Sequence, residues 1–212
     1  MNVDEKNNKD RLPFEHYKGL YEKMDPEEAA ARCRVPYDPE THEFTITLMN
    51  KKYKVSHPDY VITPVEDDGT YHALTSYNPA EILILRYLLE GVNKDCTGEK
   101  KAYADMPWGE VYLQQFSGRC LARLAYGFGY KLDKFAEAME KMGAEKVDMG
   151  DVAYKLEFLN NLYLYFILWG PDDEFPPSSQ ILFSDNFECA FKAEDMAVVG
   201  DISIGAMKQV SQ

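Results

Sequence analysis

Asp172-Asp173-Glu174 sets three carboxylates side by side, directly after Trp169-Gly170-Pro171. Carboxylates at that density can chelate a hard cation, or one of them can serve as a general acid or base. The spacing is not that of an EF-hand, whose ligands are spread over twelve residues, and consecutive residues of a regular strand cannot all face one ion. The competing reading is a solvated turn with Trp169 and Phe175 packed as its anchors. Arg119 and Arg123 stand four apart on a helical stretch and share one face. Like charges so placed repel unless something anionic lies opposite. An internal acid fits, with the 172–174 loop as one source, and so does an anionic ligand, for which Ser117-Gly118 offers a turn with free amides. The candidate ligand-binding residues are therefore Trp169, Asp172, Asp173, Glu174, Arg119 and Arg123.

The other chemistry-bearing residues point to less. Of the four histidines, His42 and His57 fall near each other at the open end of a hairpin read below, and two histidines can begin a zinc site. A third ligand at suitable spacing is missing, so no metal site is assigned. Cys33, Cys96, Cys120 and Cys189 are 63, 24 and 69 residues apart. A cluster or structural zinc draws two ligands from one short loop, so these read as buried thiols in a reducing compartment, with no iron–sulfur centre. G-x-S-x-G, P-loop and H-E-x-x-H patterns do not occur, and Gly127-Phe128-Gly129 lacks the strand and third glycine of a dinucleotide fingerprint. Catalysis is left open.

The 212 residues carry 23 Lys+Arg against 36 Asp+Glu, a net charge of −13. Such a balance, with no basic cluster, speaks against nucleic acid and against anionic membranes. The longest apolar run, Leu162 to Trp169, is too short to span a bilayer, and the polar start MNVDEKNNKD is no signal peptide. A cytoplasmic location is expected. With 45% hydrophobic residues the chain can bury a sizeable core.

The elements that must position these residues are read from local pattern. Residues 1–10 read as a flexible tail and 11–212 as a single α+β domain, with a possible sub-lobe boundary in the polar stretch 93–105. A helix is predicted over 14–24. A second begins after Asp25, an N-cap followed by Pro26, Glu27 and Glu28. Phe44, Ile46 and Leu48, then Tyr53 and Val55, alternate with polar residues and predict a hairpin within 43–57. A turn at Asn50-Lys51 sets Leu48 opposite Tyr53 and Ile46 opposite Val55, with His42 diagonal to His57. Glu66-Asp67-Asp68-Gly69 reads as a turn leading to a short strand near 71–74. Asn78-Pro79 opens a largely buried helix that ends at Gly91. Helices are expected over 110–126 and 131–142, a central strand over 162–169, a short strand over 181–183, and a last helix over 194–210. The sum is a small, mostly antiparallel sheet packed with five or six helices.

The run Phe128-Gly129, Phe135, Met142-Gly143, Gly150-Asp151-Val152-Ala153, Trp169-Gly170-Pro171-Asp172-Asp173-Glu174-Phe175-Pro176, Leu182-Phe183 and Glu194-Asp195 resembles a family of anaerobic bacteria and archaea, domain of unknown function 3786. Its most specific stretch is the tryptophan, the acids, Glu-Phe-Pro and then Leu-Phe. Some members of that family are joined to iron–sulfur modules, which implies anaerobic redox or corrinoid-type metabolism. This chain has no cysteine cluster, so a redox role would need a partner protein. The resemblance implies no catalytic residues and names no cofactor. The expected function is a small-molecule or cofactor-binding accessory domain. The alternatives are a metal-dependent enzyme using the 172–174 loop and a non-catalytic interaction module. Neither pattern nor resemblance sets an oligomeric state.

Overall fold

The computed structural model describes the backbone of residues 3–66 and 69–212, with side chains from residue 12 onward. The side chains of the expected 1–10 tail, and the middle of the expected acidic turn at 67–68, lie outside the described residues. In chain order the elements are α1 (Val3–Tyr21), α2 (Pro26–Cys33), β1 (Tyr37–Asp38), β2 (Glu43–Leu48), β3 (Lys51–Ser56), β4 (Ile62–Pro64), α3 (Ala73–Ser76), α4 (Asn78–Glu90), β5 (Lys100–Ala102), α5 (Gly109–Phe116), α6 (Arg123–Phe128), α7 (Leu132–Lys141), β6 (Glu145–Val147), β7 (Val152–Leu159), β8 (Leu162–Trp169), β9 (Ser178–Ser184), α8 (Phe187–Ala190) and α9 (Ala193–Val210). A 3₁₀ turn occupies Tyr103–Asp105, and a π-helical segment, Ser117–Ala122, joins α5 to α6.

The strands form one antiparallel sheet in the order β4-β3-β2-β7-β8-β9-β5, with β1 on β2 and β6 on β7. The protein is therefore α+β, as the pattern predicts, with more strands than the sequence reveals. β8 is central, paired on both sides through nearly its whole length. Tyr154, Leu156 and Phe158 of β7 and Leu164, Phe166 and Leu168 of β8 alternate with Lys155, Glu157 and Tyr163 and are buried. Period-2 alternation puts those six on the face that helices cover, and Phe135 of α7 meets Tyr154 edge-on at 5.8 Å.

The local signals at the first helices hold. The amides of Glu27 and Glu28 donate to Asp25 Oδ1 at 2.9 and 3.2 Å, so Asp25 caps α2 as expected. α4 buries Leu83, Ile84, Leu85, Tyr87 and Leu88 and stops at Gly91. α1 starts at Val3, ahead of the expected start at 14, and ends three residues short of Met24.

The hairpin forms, but in a register two residues from the expected one. Ile46 lies opposite Tyr53 and Phe44 opposite Val55. The turn residues are Met49 and Asn50, both left-handed at φ 46° and 64°. A two-residue shift keeps every side chain on its face, so alternation cannot distinguish the two registers. The deciding contact is tertiary: Met49 N donates to Phe158 O at 2.9 Å where β2 joins β7. His57 N consequently donates to His42 O at 2.8 Å, making the two residues directly opposed rather than diagonal. Their rings are engaged apart, His42 Nδ1 with the Tyr37 hydroxyl and His57 Nε2 with Tyr21 O.

Other expectations are corrected. The strand near 71–74 is instead loop leading into α3, with Ala73 and Leu74 buried. The polar stretch 93–105, whose composition and Gly98 suggest a loop, contains a strand: β5 pairs with β9 through Lys101 opposite Phe183. Ser117-Gly118 is not a turn, because the chain runs helically from α5 through the π segment into α6. The carbonyl of Leu121 in that segment accepts from the Ser179 hydroxyl at 2.7 Å.

Candidate functional site

The arginine pair meets an internal acid. Arg119 Nη2 donates to Asp201 Oδ2 at 2.7 Å, and Arg123 Nη1 donates to Asp201 Oδ1. The Tyr77 hydroxyl donates to the same carboxylate at 3.0 Å. Asp201 lies on α9, which the sequence places correctly, yet its partnership crosses about eighty residues. The available signal was a lone acid inside the apolar stretch Val198-Val199-Gly200-Asp201-Ile202. Burial pushes the Asp201 carboxyl up, but Arg119, Tyr77 and Arg123 outweigh it and hold the group below the usual carboxylate range.

The acidic loop lies apart from this cluster. Asp172 Oδ1 accepts from the amides of Glu174 and Phe175 at 2.9 and 2.7 Å, a local turn that lowers its pKa. Asp173 and Glu174 are exposed, as is Phe175 at 65%, so Phe175 is no anchor for the loop. Trp169 ends β8 opposite Ser178 and is 38% exposed. The loop rests on the α6–α7 connection through Gly129 and the buried Pro177. The structure thus brings Arg119 and Arg123 together on Asp201, leaves Trp169 and Asp172–Glu174 as neighbours along the chain only, and among the described residues shows no ion pair between the two groups.

The main cavity is elsewhere, with a volume of about 850 Å³. It opens between the β2–β3 turn, the 69–73 segment, the end of α7 and the last turns of α9. Lys51, Lys52 and Lys141 supply positive charge to its lining, Glu66 one carboxylate, and Tyr53, Tyr71 and His72 flat ring surface. His72 is buried and stands edge-on to Tyr53 at 5.7 Å. Lys51 Nζ donates to the Thr70 hydroxyl at 2.8 Å, tying the turn to the facing loop. None of the six residues singled out from the sequence lines this cavity. Its lining comes from four separated segments, so no motif could announce it. A second hollow of about 160 Å³ lies beside the Arg86–Asp195 pair, whose atoms are 2.8 Å apart.

Among the described residues no three His, Cys, Asp or Glu side chains converge as a metal-binding group. The cysteines are free; Cys33 and Cys120 are fully buried as expected, but Cys96 and Cys189 are only half-buried, a correction to the reading of four buried thiols. Burial pushes the Cys33 thiol up to about 11 and Cys120 up to about 12. At pH 8 a thiol reagent should therefore titrate Cys96 and Cys189 in the folded protein and reach the other two only on unfolding. Four equally fast thiols would show that the core around α4 and the π segment is open.

The geometry defines an α+β domain with one large antiparallel sheet, a mixed polar and aromatic cavity, and a separate arginine–aspartate cluster. The chain belongs to the family "Domain of unknown function (DUF3786)", whose model matches residues 25–206. No curated protein and no solved structure matches it. Among the described residues no helix is long and apolar enough to cross a membrane.

Proposed function

We propose that the protein is a small-molecule- or cofactor-binding accessory domain of anaerobic metabolism, working in the cytoplasm beside a redox partner. The observation that carries this reading is the main cavity. At about 850 Å³ it is of the size that encloses a small organic ligand. Its lining joins ring surfaces (Tyr53, Tyr71, His72) to a few polar groups that could orient a ligand (Lys51, Lys141, Gln209). Thr70 sits exposed on the rim, so Thr70→Trp fills the mouth without touching the core. A panel of small metabolites should contain compounds that raise the thermal midpoint of the parent. Thr70→Trp should keep the unliganded midpoint and lose that rise. If no compound shifts the parent, or the Trp variant responds equally, the cavity is not the site.

A second reading, an interaction module, is favoured by one observation. Tyr126 and Tyr130, like Phe175, leave more than half of their surface in water around the junction of Gly129 and Pro177. Trp169 and the acids 172–174 would then belong to a docking surface. Mass that rises with concentration, and stops rising in Tyr130→Ser, would favour it.

A further inference from the structure

We propose that the open edge where the π segment packs on α9 and runs into α6 binds a phosphate group, either the free ion or the head of a small organic ester. The inference is independent of the cavity reading, because it rests on a different set of side chains. Arg119 in the π segment and Arg123 opening α6 both reach Asp201 of α9, with the Tyr77 hydroxyl on the same carboxylate. Lys208, two turns further along α9, arrives at the same edge: a Cβ added at Gly127 would lie 3.4 Å from its Cε and 3.8 Å from Nζ. Burial, with a smaller push from Arg123, lowers the Lys208 ammonium below its ordinary value, while Asp201 acts in the opposite sense.

Arg119 and Arg123 share one carboxylate, and Lys208 stands as a third cation at the same edge. Among the described residues no second acid pairs with either arginine. Two positive charges are left over, in a chain whose total is −13. A phosphate monoester carries roughly −1.5 to −2 at pH 7, which matches that surplus. The donors are also spare. A guanidinium has five N–H groups, and each of these spends one on Asp201. Both arginines remain partly open to water, with side chains 45% and 34% exposed. Asp201 fixes the two forks side by side, so less freedom is lost when an anion arrives.

The edge is open at Gly205, where an added Cβ would meet only Arg123 Nη2, at 3.9 Å. Helical continuity through the π segment keeps Arg119 and Arg123, four residues apart, on the one face that meets Asp201.

Inorganic phosphate and phenyl phosphate, titrated into ¹⁵N-labelled protein at constant ionic strength, should each give saturable shifts at the backbone amides around Arg123 and Gly205. Arg123→Gln and Lys208→Gln should each weaken binding roughly tenfold, and Arg123→Lys should recover part of the loss because charge returns without the fork. Arg34→Gln, which removes an exposed arginine paired with Asp95, should change nothing. Tighter binding of phenyl phosphate assigns an organic ester, and equal binding assigns the free ion. Shifts that never saturate, or that persist in Gln variants whose circular dichroism is native, overturn the proposal. So does loss of phosphate binding in Thr70→Trp, which would place the anion in the cavity instead.

Discussion

Phe116→Ala should lower the free energy of unfolding by about 3–5 kcal/mol, the range for emptying a buried aromatic site. Phe116 is fully buried. Its ring stacks on Tyr103 with centroids 3.9 Å apart and planes within 2°, and lies 6.0 Å from Phe183 of β9. It thus binds three parts of the fold: the 3₁₀ turn, α5 and the sheet. Tyr103 is held against moving into the space by its hydroxyl, which donates to Ala193 O at 2.8 Å. Val111→Ala, at an exposed position of the same helix, should change stability by no more than about 0.5 kcal/mol. Urea denaturation measures both. A loss below about 1 kcal/mol in Phe116→Ala would mean that the stack is not packed in solution.

Asn50→Pro should be nearly as damaging, costing about 3 kcal/mol or more, whereas Asn50→Gly should stay within about 0.5 kcal/mol of the parent. Asn50 has φ 64°, which glycine reaches freely and the proline ring forbids. The turn cannot simply move. Met49 is tied to Phe158 O, and the Asn50 side chain lies against Gly143, where a Cβ would come within 2.6 Å of Asn50 Nδ2. Gly143 is itself left-handed at φ 74°, so both sides of this contact are specified by backbone. Because Met49, Asn50 and Lys51 line the main cavity, ligand-induced shifts in the thermal midpoint should disappear in the proline variant and survive in the glycine one. A proline variant that melts like the parent would sink the 49–50 turn.

The contrast between β7 and β8 tells how much of the fold was legible. β8 announces itself through an unbroken apolar run, and its central position follows because such a run needs cover on both sides. β7 was missed, although Val152, Tyr154, Leu156 and Phe158 alternate and Asn160-Asn161 supplies a tight turn with φ 35° and 66°. β5, three residues long, has no such signal, and its pairing with β9 depends on where Lys101 is carried by the rest of the chain.

The sequence by itself determined what local energetics control. Asp25 and Pro26 start α2, Gly91 stops α4, alternation sets which faces of β2 and β3 turn inward, and a long apolar run makes β8 central. Each of these rests on groups a few residues apart, so the chain carries its own answer. Tertiary structure alone decided the rest. Alternation is unchanged by a two-residue slip, so only the Met49–Phe158 bond selects the hairpin register. The arginine pair required an acid, but any of 36 Asp and Glu could have met that need, and only the packing of the π segment against α9 delivers Asp201. The cavity is assembled from segments separated by up to some 160 residues, and its existence is a property of how they fail to fill space, which no single segment encodes.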